Sequence, residues 1–211
     1  MLLLEICLAQ PLLILRCIIL KIIMGEYKLF MVLLGSKAKA RNVEQHDYFF
    51  GIAQHLRDLM PAMRAFWPEA GNTLHIDGWR EVTMVDGYRI TISTQKSAHT
   101  YTKRLFFINL GGYMRGKLEE QHYTLLTVDD DRVRAANTSK QTAFFKTASV
   151  AKVKGANSHI DEKYGIDVDD IYRIDDLLTD ADKANFNIVL TPETDAPADE
   201  IHLGYLLLHE L

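Results

Sequence analysis

The sequence predicts an α+β protein made by internal duplication of a β-β-α-β-β unit, whose two copies form a pseudo-twofold sheet-and-helix domain. An apolar run ends at glycine twice, at residues 29–35 and 105–111, and each run precedes a Glu-Gln-His tripeptide. A His-Ile-Asp tripeptide then follows in each half. Self-similarity of this kind indicates repeated structural units. The four tripeptides are Glu44-Gln45-His46, His75-Ile76-Asp77, Glu120-Gln121-His122 and His159-Ile160-Asp161.

In the first half, an apolar segment predicts a central strand that is buried on both faces. Asp86-Gly87 predicts a tight hairpin turn between the last two strands. A helix is predicted at about residues 54–66, and Pro61 should kink or split it. The strands of this half are predicted at residues 27–34, 44–53, 74–82 and 88–93.

The second half is expected to follow the same order. Asp129-Asp130-Asp131 marks the start of a helix predicted at about residues 130–147. Strands are predicted at residues 105–110, 120–128, 159–168 and 171–174. A further strand is expected at residues 186–190, and the alternating apolar residues of 201–211 suit a strand that pairs with the core.

Four segments follow from this pattern: an apolar extension at 1–23, a first repeat at 24–102, a second repeat at 103–178 and an acidic tail at 179–211. The favoured interpretation of residues 1–23 is an over-extended translation start, with Met24 as the true start. A membrane-associated helix and a signal sequence are the alternatives. Each repeat is too short to bury much core alone, so we expect the two to share one core.

The composition is that of an ordinary globular protein, with 48% hydrophobic and 25% charged residues and a net charge of −4. No nucleic acid is expected as a partner. The only cysteines are Cys7 and Cys17, so both repeats lack disulfides, thiolate metal sites and cysteine nucleophiles. We expect a cytoplasmic protein, with membrane association only if residues 1–23 are genuine. The sequence leaves open whether the protein forms a homo-oligomer.

Several motifs together resemble the bacterial domain-of-unknown-function family 1543, which occurs in one or two copies. They are Gly35, Glu44, His46-Asp47, His75-Ile76-Asp77, Trp79 and Asp86-Gly87-Tyr88. The resemblance covers about residues 26–176 and is strongest over 27–92. Tyr123 departs from the aspartate that follows the histidine in the family, and Ala40 stands where the family often has glycine. The family has no assigned activity, so the resemblance implies an architecture, and it favours Met24 as the start.

Four polar side chains are the first candidate site: Glu44, His46, His75 and Asp77. Alternate residues of a strand share a face, so two neighbouring strands would bring the four together. They form either an internally satisfied polar network or a site for a divalent metal such as Zn, Mn or Fe. The second-repeat equivalents are Glu120, His122, His159 and Asp161. An intact cluster in one half only would favour a site, and two intact clusters would favour a structural role.

The loop after Gly35 is a candidate anion-binding site, because it carries Lys37, Lys39 and Arg41. A solvated basic loop is the alternative, and the spacing is not that of a P-loop. Two functions are therefore weighed. The favoured one is a non-catalytic binding or structural module, which recognises a small anionic ligand or a protein partner. The alternative is a metal-dependent hydrolase, in which the Glu/His/His/Asp cluster holds the metal that activates water.

Overall fold

Antiparallel sheets with short helices packed against them make up the fold, and the predicted α+β class is confirmed. The computed structural model describes residues 26–95, 102–113, 118–141 and 166–211. The predicted features of residues 1–23, the end of the helix predicted to reach residue 147, and the second His-Ile-Asp tripeptide lie outside these residues. Among the helices of the described ranges, none is long and apolar enough to cross a membrane.

The first sheet holds the candidate site, and its four strands lie in the order β10-β3-β1-β2. The central strand β1 is buried on both faces, as its uninterrupted apolar sequence predicts. Each neighbour pairs with it antiparallel. The strands are β1 (Lys28–Ser36), β2 (Gln45–Ala53), β3 (His75–Glu81) and β10 (His202–Leu207).

Helical turns between β2 and β3 cover one face of this sheet. A 3-10 helix at Leu56–Leu59 leads into α1 (Met60–Phe66), and a second 3-10 helix follows at Pro68–Thr73. Pro61 lies in the first turn of α1, where its missing N–H costs nothing. The predicted split at this proline is confirmed. The buried Met63 of α1 packs against the apolar residues of this face.

The second sheet repeats the strand order of the first, with β6 at its centre and the order β7-β6-β8. Its strands are β6 (Arg104–Tyr113), β7 (Glu120–Asp129) and β8 (Ile166–Arg173). Helix α2 (Arg132–Ser139) follows β7, and the side chain of Asp131 caps it by accepting a hydrogen bond from the N–H of Arg134. The predicted helix start is therefore confirmed.

The predicted break between a strand at 159–168 and a strand at 171–174 is wrong, and residues 159–165 lie outside the described residues. Residues 166–173 form one strand, β8, which pairs with β6. Its register shifts between Asn109 and Leu110, so that Asp170 faces Asn109 and Val168 faces Leu110. Asp169 is therefore the extra residue of a β-bulge, which interrupts the ladder without ending the strand.

A third sheet joins the two halves of the chain in the order β4-β5-β9. Its strands are β4 (Met84–Val85), β5 (Tyr88–Ser93) and β9 (Asn187–Pro192), and α3 (Ile174–Leu177) and α4 (Asp180–Asn185) precede β9. Asp86 and Gly87 have φ values of 50° and 76°. Positive φ at both turn residues is typical of a type I′ hairpin, so the predicted turn is confirmed.

The main core draws residues from both halves, which confirms the shared core. Leu29 and Met31 of β1 lie in one cluster with Leu105, Phe107 and Val128 of the second sheet. The ring of Phe107 lies with its centroid 5.2 Å from those of both Tyr48 and Phe50. The Asp86 carboxylate adds a polar link, because it accepts hydrogen bonds from β7, from Thr127 Oγ1 at 2.6 Å and Val128 N at 3.0 Å.

Candidate functional site

The candidate site forms around Gly35, near the end of β1. Gly35 faces His46 of β2 on one side and His75 of β3 on the other. Directly opposed residues of an antiparallel sheet point to the same face. The two histidines therefore flank a residue that has no side chain.

A β-bulge brings Asp77 to the same place. The register of β3 shifts so that Gly78 faces Leu33 and Ile76 faces Leu34, which leaves Asp77 as the extra residue. Bulges redirect side chains in this way and are common beside functional sites. Asp77 Oδ2 lies 3.0 Å from His46 Nε2, and Asp77 Oδ1 lies 3.4 Å from His75 Nε2.

Glu44 completes the cluster from the loop before β2, with Oε1 3.1 Å from His75 Nε2. The structure thus brings together all four residues predicted for the first repeat. The contacts run in a chain, from Glu44 to His75, to Asp77 and then to His46. Within the described ranges, no group of three or more His, Cys, Asp or Glu side chains is placed so that it could hold a metal ion.

Gly35 lies directly beneath the side chains of the cluster. Glycine is needed here because a side chain would not fit, and not because of the backbone conformation. A Cβ at this position would overlap Asp77 Oδ2 and His75 Nε2 and would lie 3.1 Å from His75 Cδ2. The glycine that ends the apolar run therefore makes room for the imidazole and the carboxylate above it.

His75 is held tightly, with only 1% of its surface exposed. Its Nδ1 lies 2.8 Å from the carbonyl oxygen of Thr73. A carbonyl only accepts hydrogen bonds, so the network assigns the proton to Nδ1. The Thr73 hydroxyl is held in turn, since it donates to Ala70 O and lies 2.8 Å from Ser36 Oγ. The ring of Tyr205, on β10, packs 4.2 Å from the His75 ring.

Two buried atoms of the cluster lack a hydrogen-bond partner in the structure: His75 Nε2 and Asp77 Oδ2. Both lie near oppositely charged or polar groups, but the geometry of those contacts is not that of hydrogen bonds. His75 Nε2 faces two carboxylates, those of Glu44 and Asp77.

In the described part of the second sheet, the predicted equivalents Glu120 and His122 lie on β7. His122 faces Gly111 as His46 faces Gly35, and it lies 3.8 Å from Glu120. However, Asp167 faces Gly111 on the other side, where the first sheet has His75. His159 and Asp161 lie outside the described residues, so their assignment as second-repeat equivalents stays a prediction.

The basic loop lies beside the cluster, since it connects Ser36 to Glu44. Lys37, Lys39 and Arg41 all have solvent-accessible side chains. Ala40 has a φ of 64°, a left-handed conformation that glycine adopts more readily. Glycine at this position would adopt the same turn without strain.

Sequence reasoning missed the residues that support the cluster, above all Thr73 and Tyr205. The Thr73 contact uses a backbone carbonyl, which leaves no trace in residue identity. Tyr205 has a weak signal, because it lies in the alternating segment that was predicted to pair with the core. That pairing is confirmed by the ladder between β10 and β3.

Residues 41–92 match one protein family, described as Domain of Unknown Function (DUF1543). The match contains all four residues of the cluster and supports one copy of the domain. No curated protein matches the chain. The chain is similar to a solved structure described as a crystal structure of a protein Il1583 from Idiomarina loihiensis. The TM-score is 0.58 with 24% identity, over 87% of this chain and 99% of that one, a likeness that shows the fold alone.

Proposed function

We propose that this chain is a binding module without catalysis of its own, and that its ligand binds at the cluster of Glu44, His46, His75 and Asp77. The buried His75 Nε2 and Asp77 Oδ2 carry the proposal, because neither has a hydrogen-bond partner. Roughly 90% or more of buried polar groups in native proteins are satisfied. A ligand that satisfies both atoms would remove a cost of about 1–3 kcal/mol per group.

The charge of the cluster restricts this ligand. The two carboxylates of the cluster repel anions and attract positive charge or hydrogen-bond donors. The proposed ligand is therefore cationic, and the anionic ligand first considered suits only the separate basic loop of Lys37, Lys39 and Arg41. Anion binding by that loop stays a prediction.

The second sheet serves as a scaffold in this proposal. The central strand of each sheet pairs with equivalent neighbours on its two sides. The register also shifts at equivalent places in the two central strands, between Leu33 and Leu34 before Gly35, and between Asn109 and Leu110 before Gly111. This agreement supports two copies of one unit that arose by internal duplication. At the position opposite Gly111, β8 has Asp167 where the first sheet has His75, so among the described residues the second sheet differs from the first at this point.

Thermal denaturation of the full chain with two probes tests the proposal. The first probe is a set of divalent cations (Zn²⁺, Co²⁺ and Mn²⁺), and the second is a set of organic cations (methylammonium, guanidinium and spermidine). A ligand of the folded state raises the melting midpoint by mass action. We expect one probe to raise it in the wild type and in His122→Ala, and not in His46→Ala. His122 is the matched control, because it faces Gly111 as His46 faces Gly35.

A flat response to both probes, with His46→Ala merely less stable, would assign the cluster to the fold and reject the proposal. The alternative function, a metal-dependent hydrolase, stays a prediction, and binding of a metal would have to be demonstrated first. A cytoplasmic location and a homo-oligomer also stay predictions.

A further inference from the structure

We infer that the cationic ligand is a lysine or arginine side chain on an extended peptide segment of a protein partner, and that this segment pairs as an added strand with the outer edge of β10. Its apolar side chains pack on β10, and its cation pairs with the exposed parts of the Glu44 and Asp77 carboxylates. The inference rests on the proposed function, since it names the kind of partner that binds at that same site.

A row of exposed apolar residues lies along β10 and just before it. Ile201, Leu203 and Tyr205 are 62%, 81% and 65% exposed. A Cβ added at Gly78 would lie 3.0 Å from Leu203 Cδ2, and the Tyr205 ring lies 4.2 Å from the His75 ring. Gly78 and His75 face alternate residues of β1, so this apolar row lies on the same face as the cluster. Exposed apolar residues that are grouped, rather than scattered singly, mark interaction sites.

The backbone of β10 is suited to pairing with another strand. β10 is the outer strand of the first sheet, and among the described residues it pairs with β3 alone. Proteins usually protect such edges with charged residues or proline, and β2, at the opposite edge, exposes His46 and Asp47. Residues 202–207 of β10 include no proline, lysine, arginine, aspartate or glutamate. An unprotected edge of this kind is the surface to which extended peptides add as a strand.

The carboxylates of the cluster lie beside the apolar row. Only His75 separates them from Tyr205, since His75 Nε2 lies 3.1 Å from Glu44 Oε1 and 3.4 Å from Asp77 Oδ1. The side chains of Glu44 and Asp77 are 38% and 24% exposed. A cation can therefore pair with them from the solvent side, while His75 and Asp77 continue to fill the space above Gly35.

A lysine or arginine side chain fits this surface better than a small ion does. Its apolar stem packs on exposed apolar residues while its charged head reaches the carboxylates. The exposed ring of Tyr205 offers an aromatic face, which also stabilises a nearby cation.

A second copy of this chain is a poorer occupant of the same edge. Residues 193–211, which contain β10 and the segment before it, have no lysine or arginine. Two β10 strands paired with each other would therefore bring no such cation from this segment to the carboxylates. A basic segment of another protein supplies the complementary charge.

Selection of random peptides displayed on phage, with the immobilised full-length chain as target, tests the inference. We expect enriched peptides that carry a lysine or arginine among alternating apolar residues. An enriched peptide is then synthesised, and its affinity is measured by fluorescence anisotropy. Leu203→Lys should lower this affinity at least about 5-fold, as for a central interface residue. Val133→Lys, at a 71% exposed position on α2, should leave it unchanged, and circular dichroism checks that both variants fold.

A double-mutant cycle tests the charge contact. Glu44→Gln removes the charge of a half-exposed side chain with little change of shape, and norleucine in the peptide removes the cation. We expect Glu44→Gln to lower the affinity about 2- to 5-fold, the range of exposed ion pairs. Replacement of the cation should then have a smaller effect in Glu44→Gln than in the wild type, because the two groups interact.

Four outcomes would overturn the inference: no enrichment, enriched peptides without lysine or arginine, unchanged affinity in Leu203→Lys, or an equal effect of norleucine in Glu44→Gln and the wild type. A concentration-dependent dimer in sedimentation that Leu203→Lys abolishes would also overturn it, because a second copy would then cover the edge. A melting midpoint raised by a small cation, without peptide enrichment, would reject the peptide partner and retain the binding module. No response to any small cation or peptide would reject both.

Discussion

Gly35→Ala is the most direct perturbation of the cluster, because it adds one methyl group beneath it. The new Cβ would overlap Asp77 Oδ2 and His75 Nε2. The contact with Thr73 O holds the His75 ring in place, so the Asp77 carboxylate and the imidazole must both shift to make room. Overpacking of this kind costs about 1–3 kcal/mol. For a chain of 211 residues, that loss lowers the melting midpoint by about 2–12 °C, at about 2–4 °C per kcal/mol.

Urea and thermal denaturation would measure this loss, with Gly71→Ala as the control. Gly71 has a φ of 54°, but a Cβ added there would meet no atom within 4 Å, so its substitution tests backbone strain without a steric overlap. We expect Gly35→Ala to lose stability and the response to the cationic probe together, and Gly71→Ala to lose only stability. A Gly35→Ala protein with wild-type stability and probe response would refute the steric argument.

Three further predictions follow from other positions. Ala40→Gly should stabilise the protein by about 0.5–1 kcal/mol in urea, because it relieves a left-handed alanine; a loss would contradict this. Asp86→Ala should cost about 2–4 kcal/mol, because it removes two hydrogen bonds to β7 and places alanine in a left-handed turn conformation. Asp86→Asn should cost less, because asparagine tolerates that conformation. Equal losses in the two variants would contradict the contribution of turn strain. Burial opposes the ionisation of Asp129, but the Thr138 hydroxyl and nearby donors and cations outweigh it and lower the pKa of Asp129. The stability that this ionised carboxylate contributes should be full above about pH 4 and should be lost as the pH falls through the lowered pKa. Asp129→Asn should reduce this pH dependence of the free energy of unfolding in urea titrations.

The sequence predicted the parts of the fold that depend on local chemistry. The apolar run of β1, the Asp86-Gly87 turn, Pro61 and the cap of Asp131 each act over a few residues, and the structure has them where the pattern indicated. The β8 prediction failed because strand register depends on the partner strand. Acidic residues at a bulge are indistinguishable from a turn until the pairing with β6 is known.

The candidate site was likewise predictable where it depends on local sequence and not where it depends on long-range strand pairing. Its four side chains were identified because alternate residues of neighbouring strands share a face. The bulge at Asp77 has no local signature, and the Tyr205 ring reaches His75 only through the pairing of β10 with β3. The two unsatisfied atoms, which carry the functional argument, are visible only in three dimensions.

The return of β10 to the edge of the first sheet has a consequence for biosynthesis. β3 emerges from the ribosome long before β10, and Leu207 is needed to pair with His75. Asp199 anchors the intervening segment, since one carboxylate oxygen accepts hydrogen bonds from the Thr83 hydroxyl and from the N–H groups of Thr83 and Met84. The nascent first sheet therefore has an uncovered edge at β3 until β10 has been synthesised. Such long-range pairing slows folding, and an unpaired edge strand is a template for aggregation during that interval.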